Sequence, residues 1–145
     1  YNKLSLVDII NQDKIMQSEF QEQHDAIEAR DAAELIDGCI DSLFTTLGML
    51  QKLEGLKVNV NAAMKQVAMD NLDKFPKTEQ EAIDTVAFYA NKNVECYYLY
   101  MKEFDCYVVK DMNGKVRMPY NFKPTDLTKY VTPELLAALE VKDVQ

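Results

Sequence analysis

The segment running from Ala32 to Glu54, AAELIDGCIDSLFTTLGMLQKLE, constrains this chain most. It reads as one long helix, started by Asp31 and stopped near Gly55, where a C-terminal glycine is expected. At about 100° per residue, Ala33, Ile36, Ile40, Leu43, Phe44, Leu47 and Leu50 share one apolar face. Glu34, Asp37 and Asp41 form a row along its margin, which Thr45 and Gly48 continue with small residues. A helix this apolar must be covered, and acids at the edge of its apolar face need a reason to be there.

Residues 12 to 30 hold no Gly or Pro and suit a preceding helix. Its only apolar stripe is Ile15, Met16, Phe20, Ala26 and Ile27; Glu19 lies inside that stripe, and Glu22 lies about 60° to one side. A tight connection at Arg30-Asp31 packs the two helices antiparallel, so the two acidic rows can face each other. Converging carboxylates repel strongly unless a cation sits among them. Oxygen-only ligation suits Mg2+ or Mn2+ rather than zinc, and Mg2+ completes its shell with substrate phosphates. The chemistry expected is attack of water on a phosphate ester or anhydride. Simpler readings stand beside it. Glu19 and Glu22 also suit a solvated helix face, and Glu34, three residues after Asp31, also completes a capping box. Asp37 and Asp41, beside Gly38 in an otherwise apolar helix, are harder to explain that way.

The 145 residues suggest a single domain, 1–145, with a helical body over about 12–92 and a β-hairpin and C-terminal segment over about 93–145. A third helix is expected over about 58–72, ended by Pro76. Thr78-Glu-Gln-Glu81 is a capping-box pattern that starts a fourth, to about Asn91. VECYYLYM and FDCYVVK then read as strands, Asp111-Met-Asn-Gly114 as a turn, and VRM as a short strand. Thr132-Pro133-Glu134 starts a last short helix. The fold class is mainly α.

Sixteen Lys+Arg against 24 Asp+Glu leave a net charge of −8, which argues against a nucleic-acid partner. No apolar run approaches the roughly 18 residues of a membrane span, so no membrane partner is expected. Three cysteines at wide spacing and the single His24 fit neither a disulfide framework nor a zinc site. They point to a reducing, cytoplasmic setting, with Cys39 a buried thiol and His24 a surface residue. The chain begins at Tyr1 rather than Met, which reads as a processed or trimmed N-terminus, and no signal peptide is visible.

The stretch SEFQEQHDAIEARDAAELIDGCIDSLFTTLG resembles the signature of the all-α nucleoside triphosphate pyrophosphohydrolases, the superfamily of MazG, dimeric dUTPases and phosphoribosyl-ATP pyrophosphohydrolase. The family motif is EExxE on one helix and ExxD on the next. Here Glu19 and Glu22 supply ExxE, with Ser18 in place of the leading acid, and Glu34-Leu-Ile-Asp37 is followed by Asp41. Asn71-Leu-Asp-Lys74 resembles the Asn-x-x-Lys element of the phage-type, phosphoribosyl-ATP-pyrophosphohydrolase-like branch, which faces the nucleotide phosphates. Gly114-Lys115 and the segment to Pro124 resemble its C-terminal glycine-lysine hairpin and the proline-containing stretch after it.

The resemblance covers roughly residues 12–135. It implies a helical bundle with a small C-terminal β-hairpin, assembled as a homodimer or homotetramer, in the host cytoplasm if phage-encoded. It implies cleavage of a nucleoside triphosphate between the α and β phosphates. Mg2+ (or Mn2+) would be held by Glu19, Glu22, Glu34, Asp37 and Asp41, with Glu34 ranked last. Glu19 and Glu22 would be catalytic, Glu19 as general base. Asn71, Lys74, Lys115 and Tyr120 would bind substrate, and Tyr120 or Phe122 would stack on the base. Asn71 and Lys74 also suit a polar helix end, Lys115 an ordinary hairpin turn, and the two aromatics a core. The alternative is a catalytically inactive nucleotide- or protein-binding module on the same scaffold, which Ser18 favours.

Overall fold

The computed structural model describes residues 3–140, so Tyr1 lies outside the described residues. The chain is mainly α, with five α-helices and a small three-stranded antiparallel sheet among the described residues. It divides into two compact units. The first runs to Asn61 and resumes at Leu127, and the second is Ala62–Asp126.

In the first unit, α1 is Leu6–Glu28 and α2 is Ala32–Gly55. Helix α1 begins earlier than residue 12 because Ser5 and Asp8 close a capping box. The Asp8 carboxylate accepts from the Ser5 amide at 2.8 Å and from its hydroxyl at 3.0 Å. Asp31 caps α2 by accepting from the Glu34 amide at 3.1 Å. The glycine expected to stop α2 does not do so. Gly55 is its last residue, and the left-handed position is Lys57, at φ 67°. There the Lys57 amide donates to Glu54 and the Val58 amide to Leu53, the paired bonds of a Schellman motif. Arg30, at φ 57°, ends α1 in the same manner.

Helices α1 and α2 pack antiparallel, and their contacts run in opposite chain directions. Ser42 donates to Gln23 at 3.4 Å, and Gln12 donates to the Thr45 carbonyl at 2.8 Å. A Cβ on Gly38 would lie 3.1 Å from Gln23 Cα, and one on Gly48 would lie 2.7 Å from Gln12 Nε2. The seam therefore uses the small, polar stripe of α2, with Gly38 and Ser42 buried. The large apolar stripe points away from α1: Ile36 and Phe44 are each 63% exposed and Leu43 58%. Cys39 is exposed too, not buried as expected, because its position on α2 lies off the seam; Cys106 is the buried thiol. His24 is at the surface, 3.4 Å from Glu28 one turn on. The unit closes with a 3-10 turn at Leu127–Tyr130 and α5, Pro133–Leu139, whose Thr132 cap also donates to the Leu56 carbonyl at 2.6 Å.

Helix α3, Val60–Leu72, leads into the second unit, which holds α4, Glu79–Ala90, and strands β1, Cys96–Met101, β2, Cys106–Asp111, and β3, Val116–Arg117. Thr78 caps α4 through the Glu81 amide. The strand order is β1-β2-β3, so the short third strand extends the hairpin into a sheet. Beyond β3, the Pro76 carbonyl takes the Tyr107 amide at 2.8 Å. Helix α4 covers the face bearing Tyr98, Val109 and Arg117: Tyr98 donates to Glu79 at 2.9 Å, and the Arg117 guanidinium lies over the Tyr89 ring. The sheet therefore packs with α4, and the change of texture near residue 92 is not where the compact units part.

Asp111 ties this sheet together. Its buried carboxylate accepts from the amides of Asn113 and Lys115 across a turn closed by Gly114 at φ 79°, and takes both Nε and Nη2 of Arg117, at 3.0 and 2.8 Å. Burial alone would raise its pKa, but the two amides and the guanidinium outweigh it and hold the carboxyl below its ordinary value of 3.8. A depressed folded pKa contributes stability above the unfolded pKa that is lost as pH falls through the folded value. Asp111→Asn should therefore melt about 10 °C below wild type at pH 7, since it leaves Arg117 without its partner. That gap should close as melts are taken down through the acid range. A gap independent of pH would show that the charge of Asp111 is not what stabilises the turn.

Candidate functional site

Glu19 lies on α1 near the close approach at Gly38, where the charges of Glu22 on its own helix and of Asp37 and Asp41 on α2 act on it. Glu19 is half-buried, and its Oε2 is fully buried with no hydrogen-bond partner. An unpaired buried carboxylate oxygen is costly. Burial first, then the negative charges of Glu22, Asp41 and Asp37, and a Glu22 side chain that can hydrogen-bond the protonated form, push the Glu19 carboxyl above its ordinary value, and the ionised oxygen meets no donor. The seam produces this arrangement because α1 and α2 approach closely only where α2 carries Gly38 and Ser42, and the acids flank that stripe. Glu34 is exposed in the first turn of α2, where its amide donates to the Asp31 cap.

Among the described residues, no three His, Cys, Asp or Glu side chains form a ready metal-binding group as they are placed. Only the donor type and one unpartnered oxygen speak for a hard divalent cation. The donors are all carboxylate oxygens, and Glu19 Oε2 lacks the partner its burial requires.

The second unit brings Asn71 and Lys74 together at the end of α3. Lys74 Nζ donates to Asn71 Oδ1 at 2.8 Å. Both line a cavity of about 360 Å³ walled by Val67, Met118, Phe122 and Pro124. The other two predicted substrate residues are elsewhere in this unit. Lys115 sits in the Asp111 turn, where its amide and carbonyl both bond to Asp111. Tyr120 is 45% exposed, and its amide donates to Thr85 Oγ1 at 3.3 Å. Neither lines the cavity.

Sequence reasoning missed Asp70, which also lines this cavity and pins its wall. Its carboxylate accepts from the Thr125 hydroxyl at 2.7 Å and the Thr125 amide at 3.2 Å, and Gln66 donates to Thr125 at 2.8 Å. The available signal was the spacing of Gln66 and Asp70, one turn apart on α3 and just ahead of Asn71.

No helix among the described residues is long and apolar enough to cross a membrane. No protein-family model, curated protein or solved structure matches this chain.

Proposed function

We propose that the protein is a metal-dependent nucleoside triphosphate pyrophosphohydrolase of the all-α bundle type, releasing a nucleoside monophosphate and pyrophosphate. The observation that carries this reading is Glu19: a buried carboxylate oxygen without a partner, among the charges of Glu22, Asp37 and Asp41. Those four residues would hold Mg2+ (or Mn2+), with Glu34 outside the group. Bound there, the cation supplies charge neutralisation and polarisation of a phosphate oxygen. The resemblance makes the Glu19 carboxylate the general base that takes a proton from the attacking water. The resemblance assigns the phosphates to Lys74, which Asn71 orients.

The outward stripe of Ile36, Ile40, Leu43, Phe44 and Leu47 supports assembly as a homodimer or homotetramer, because so large an apolar face is rarely left to water. Sedimentation velocity should give a mass of at least twice the chain's 16.7 kDa. A monomer at micromolar concentration would remove that part of the proposal.

The full chain incubated with each NTP and dNTP, with Mg2+ or Mn2+, tests the activity by pyrophosphate release. A second reading, a catalytically inactive nucleotide- or protein-binding module, is favoured by the absence of a ready metal-binding group among the described residues and by Ser18. No turnover on any substrate would leave that reading standing and overturn the first. Lys74→Ala should raise KM about ten-fold or more, by loss of a charged phosphate partner, while calorimetric Mn2+ affinity stays near wild type. Equal losses in both would mean that Lys74 acts on the metal site instead.

A further inference from the structure

We infer that Asn113 is a site of spontaneous covalent modification, in which the Gly114 nitrogen attacks the Asn113 side-chain amide and the Asp111 turn sets the rate. Of the nine asparagines in the chain, only Asn113 is followed by glycine. Glycine leaves the attacking nitrogen without a neighbouring Cβ to obstruct ring closure. It cannot readily be exchanged here, since Gly114 holds φ 79°, a backbone region that other residues rarely adopt. The residue that lets the turn close therefore also makes Asn113 reactive. A Cβ at Gly114 would meet nothing within 4 Å, and Asn113 is exposed, so water reaches the pair.

The step balances with water as the one co-reactant. The Gly114 nitrogen gives up its proton and bonds to Asn113 Cγ. The Cγ–Nδ2 bond breaks, and ammonia leaves with that proton. The product is a five-membered succinimide. Water then opens the ring at either carbonyl and leaves aspartate or isoaspartate at position 113. Isoaspartate routes the main chain through the side-chain carbons, which adds one backbone atom between residues 113 and 114.

The native turn holds this reaction back and would feel its product. The Gly114 amide donates to the Asp111 carbonyl at 2.9 Å. On either side of it, the Asn113 and Lys115 amides donate to one oxygen, Asp111 Oδ1, at 2.9 and 3.0 Å. Attack requires the Gly114 proton to be released and its nitrogen to turn toward Asn113 Cγ, so it proceeds from the opened turn. Isoaspartate lengthens the chain between the two amides that share Oδ1. Either product also adds a carboxylate near the buried one of Asp111. Asn113 is not among the residues with a left-handed backbone, so the turn does not need asparagine there, and Asn113→Ser is a matched control.

The test warms the full chain at mildly alkaline pH, folded and in guanidinium chloride. Each asparagine is followed by peptide mass, with chromatography separating isoaspartate from aspartate. Asn113 should be the first asparagine modified in guanidinium. Folded wild type should react there at least ten-fold more slowly, which corresponds to about 1.4 kcal/mol in favour of the closed turn. Asp111→Ala, shown to be folded by circular dichroism, should recover most of that factor. Arg117→Gln loosens the other oxygen of Asp111, should recover part of it, and serves if the alanine variant does not fold. Aged wild type should melt below fresh protein, whereas aged and fresh Asn113→Ser should melt alike. The site is overturned if another asparagine reacts first in guanidinium, or if folded wild type stays unmodified at position 113 while another asparagine reacts. The gate is overturned if folded wild type reacts as fast as the chain in guanidinium, or if both turn variants react like wild type. An unchanged Tm in protein modified at position 113 would overturn the link between the modification and the turn.

Discussion

Glu19→Gln should melt a few degrees above wild type in EDTA, and its kcat for nucleoside triphosphate hydrolysis should fall by about 10²–10⁴-fold, the usual weight of a general base. The stability gain has a direct cause. Ionised Glu19 keeps a buried oxygen without a partner, and the charges of Glu22, Asp41 and Asp37 act against it. Glutamine removes the charge and turns a buried group into a donor among acceptors. A carboxyl with a raised folded pKa favours the fold fully below its unfolded pKa and loses that contribution as pH rises through the folded value. The variant's advantage should therefore be greatest near neutral pH and vanish in acid. Mn2+ binds the folded state and should raise the wild-type Tm by mass action, with a much smaller rise in the variant. Asp41→Asn removes one of the charges that act on Glu19 and should likewise abolish activity and most of the Mn2+ response. Glu19→Gln melting well below wild type in EDTA, with an unchanged response to Mn2+, would mean that Glu19 is a satisfied structural acid.

What the sequence made legible was mostly what short-range hydrogen bonds decide. Asp31, Thr78 and Thr132 each cap the helix that their position announces, because a side-chain oxygen two or three residues from an unpaired amide needs no tertiary context. The strands follow their Tyr- and Val-rich runs to within two residues. The helix ends also fall within two residues of expectation, although the left-handed residues there are Arg30, Lys57 and Asn93 rather than glycine. Ser5–Asp8 shows that α1 had a start signal ahead of the region where apolar periodicity drew attention.

The acids could be placed on a margin of α2 by counting degrees, but counting does not say which margin meets α1. That choice falls to the small stripe, where backbones can approach closely, and the large apolar stripe is left outward. Lys115 and Tyr120 were picked from a loop, where spacing carries no geometry. The backbone of Lys115 is bonded into the Asp111 turn, and Phe122, two residues from Tyr120, lines the cavity.

Gly38→Leu should lower the Tm by about 10 °C, the counterpart of roughly 3 kcal/mol of overpacking. A Cβ at position 38 would meet Gln23 at its Cα, Cβ and N, at 3.1, 3.3 and 3.3 Å, and backbone atoms cannot swing aside. The helices must separate, and the residues they carry at that level separate with them: Glu19 and Glu22 on α1, Asp37 and Asp41 on α2. Gly38→Ala is the more informative variant. Alanine gains about 1 kcal/mol of helix propensity over glycine, which offsets a displacement of a few tenths of an ångström, so its Tm should stay near that of wild type. Its Mn2+-induced rise in Tm should nevertheless shrink, because carboxylates on opposite sides of the seam would no longer reach one ion together. Gly48→Ala is the control further along the same stripe. Its Cβ meets only the amide end of Gln12, which can rotate away at the loss of its bond to the Thr45 carbonyl, so the Mn2+ response should be retained. Gly38→Leu melting like wild type would show that α1 and α2 do not close on one another at Gly38. A full Mn2+ response in Gly38→Ala would separate the acids from any shared ion.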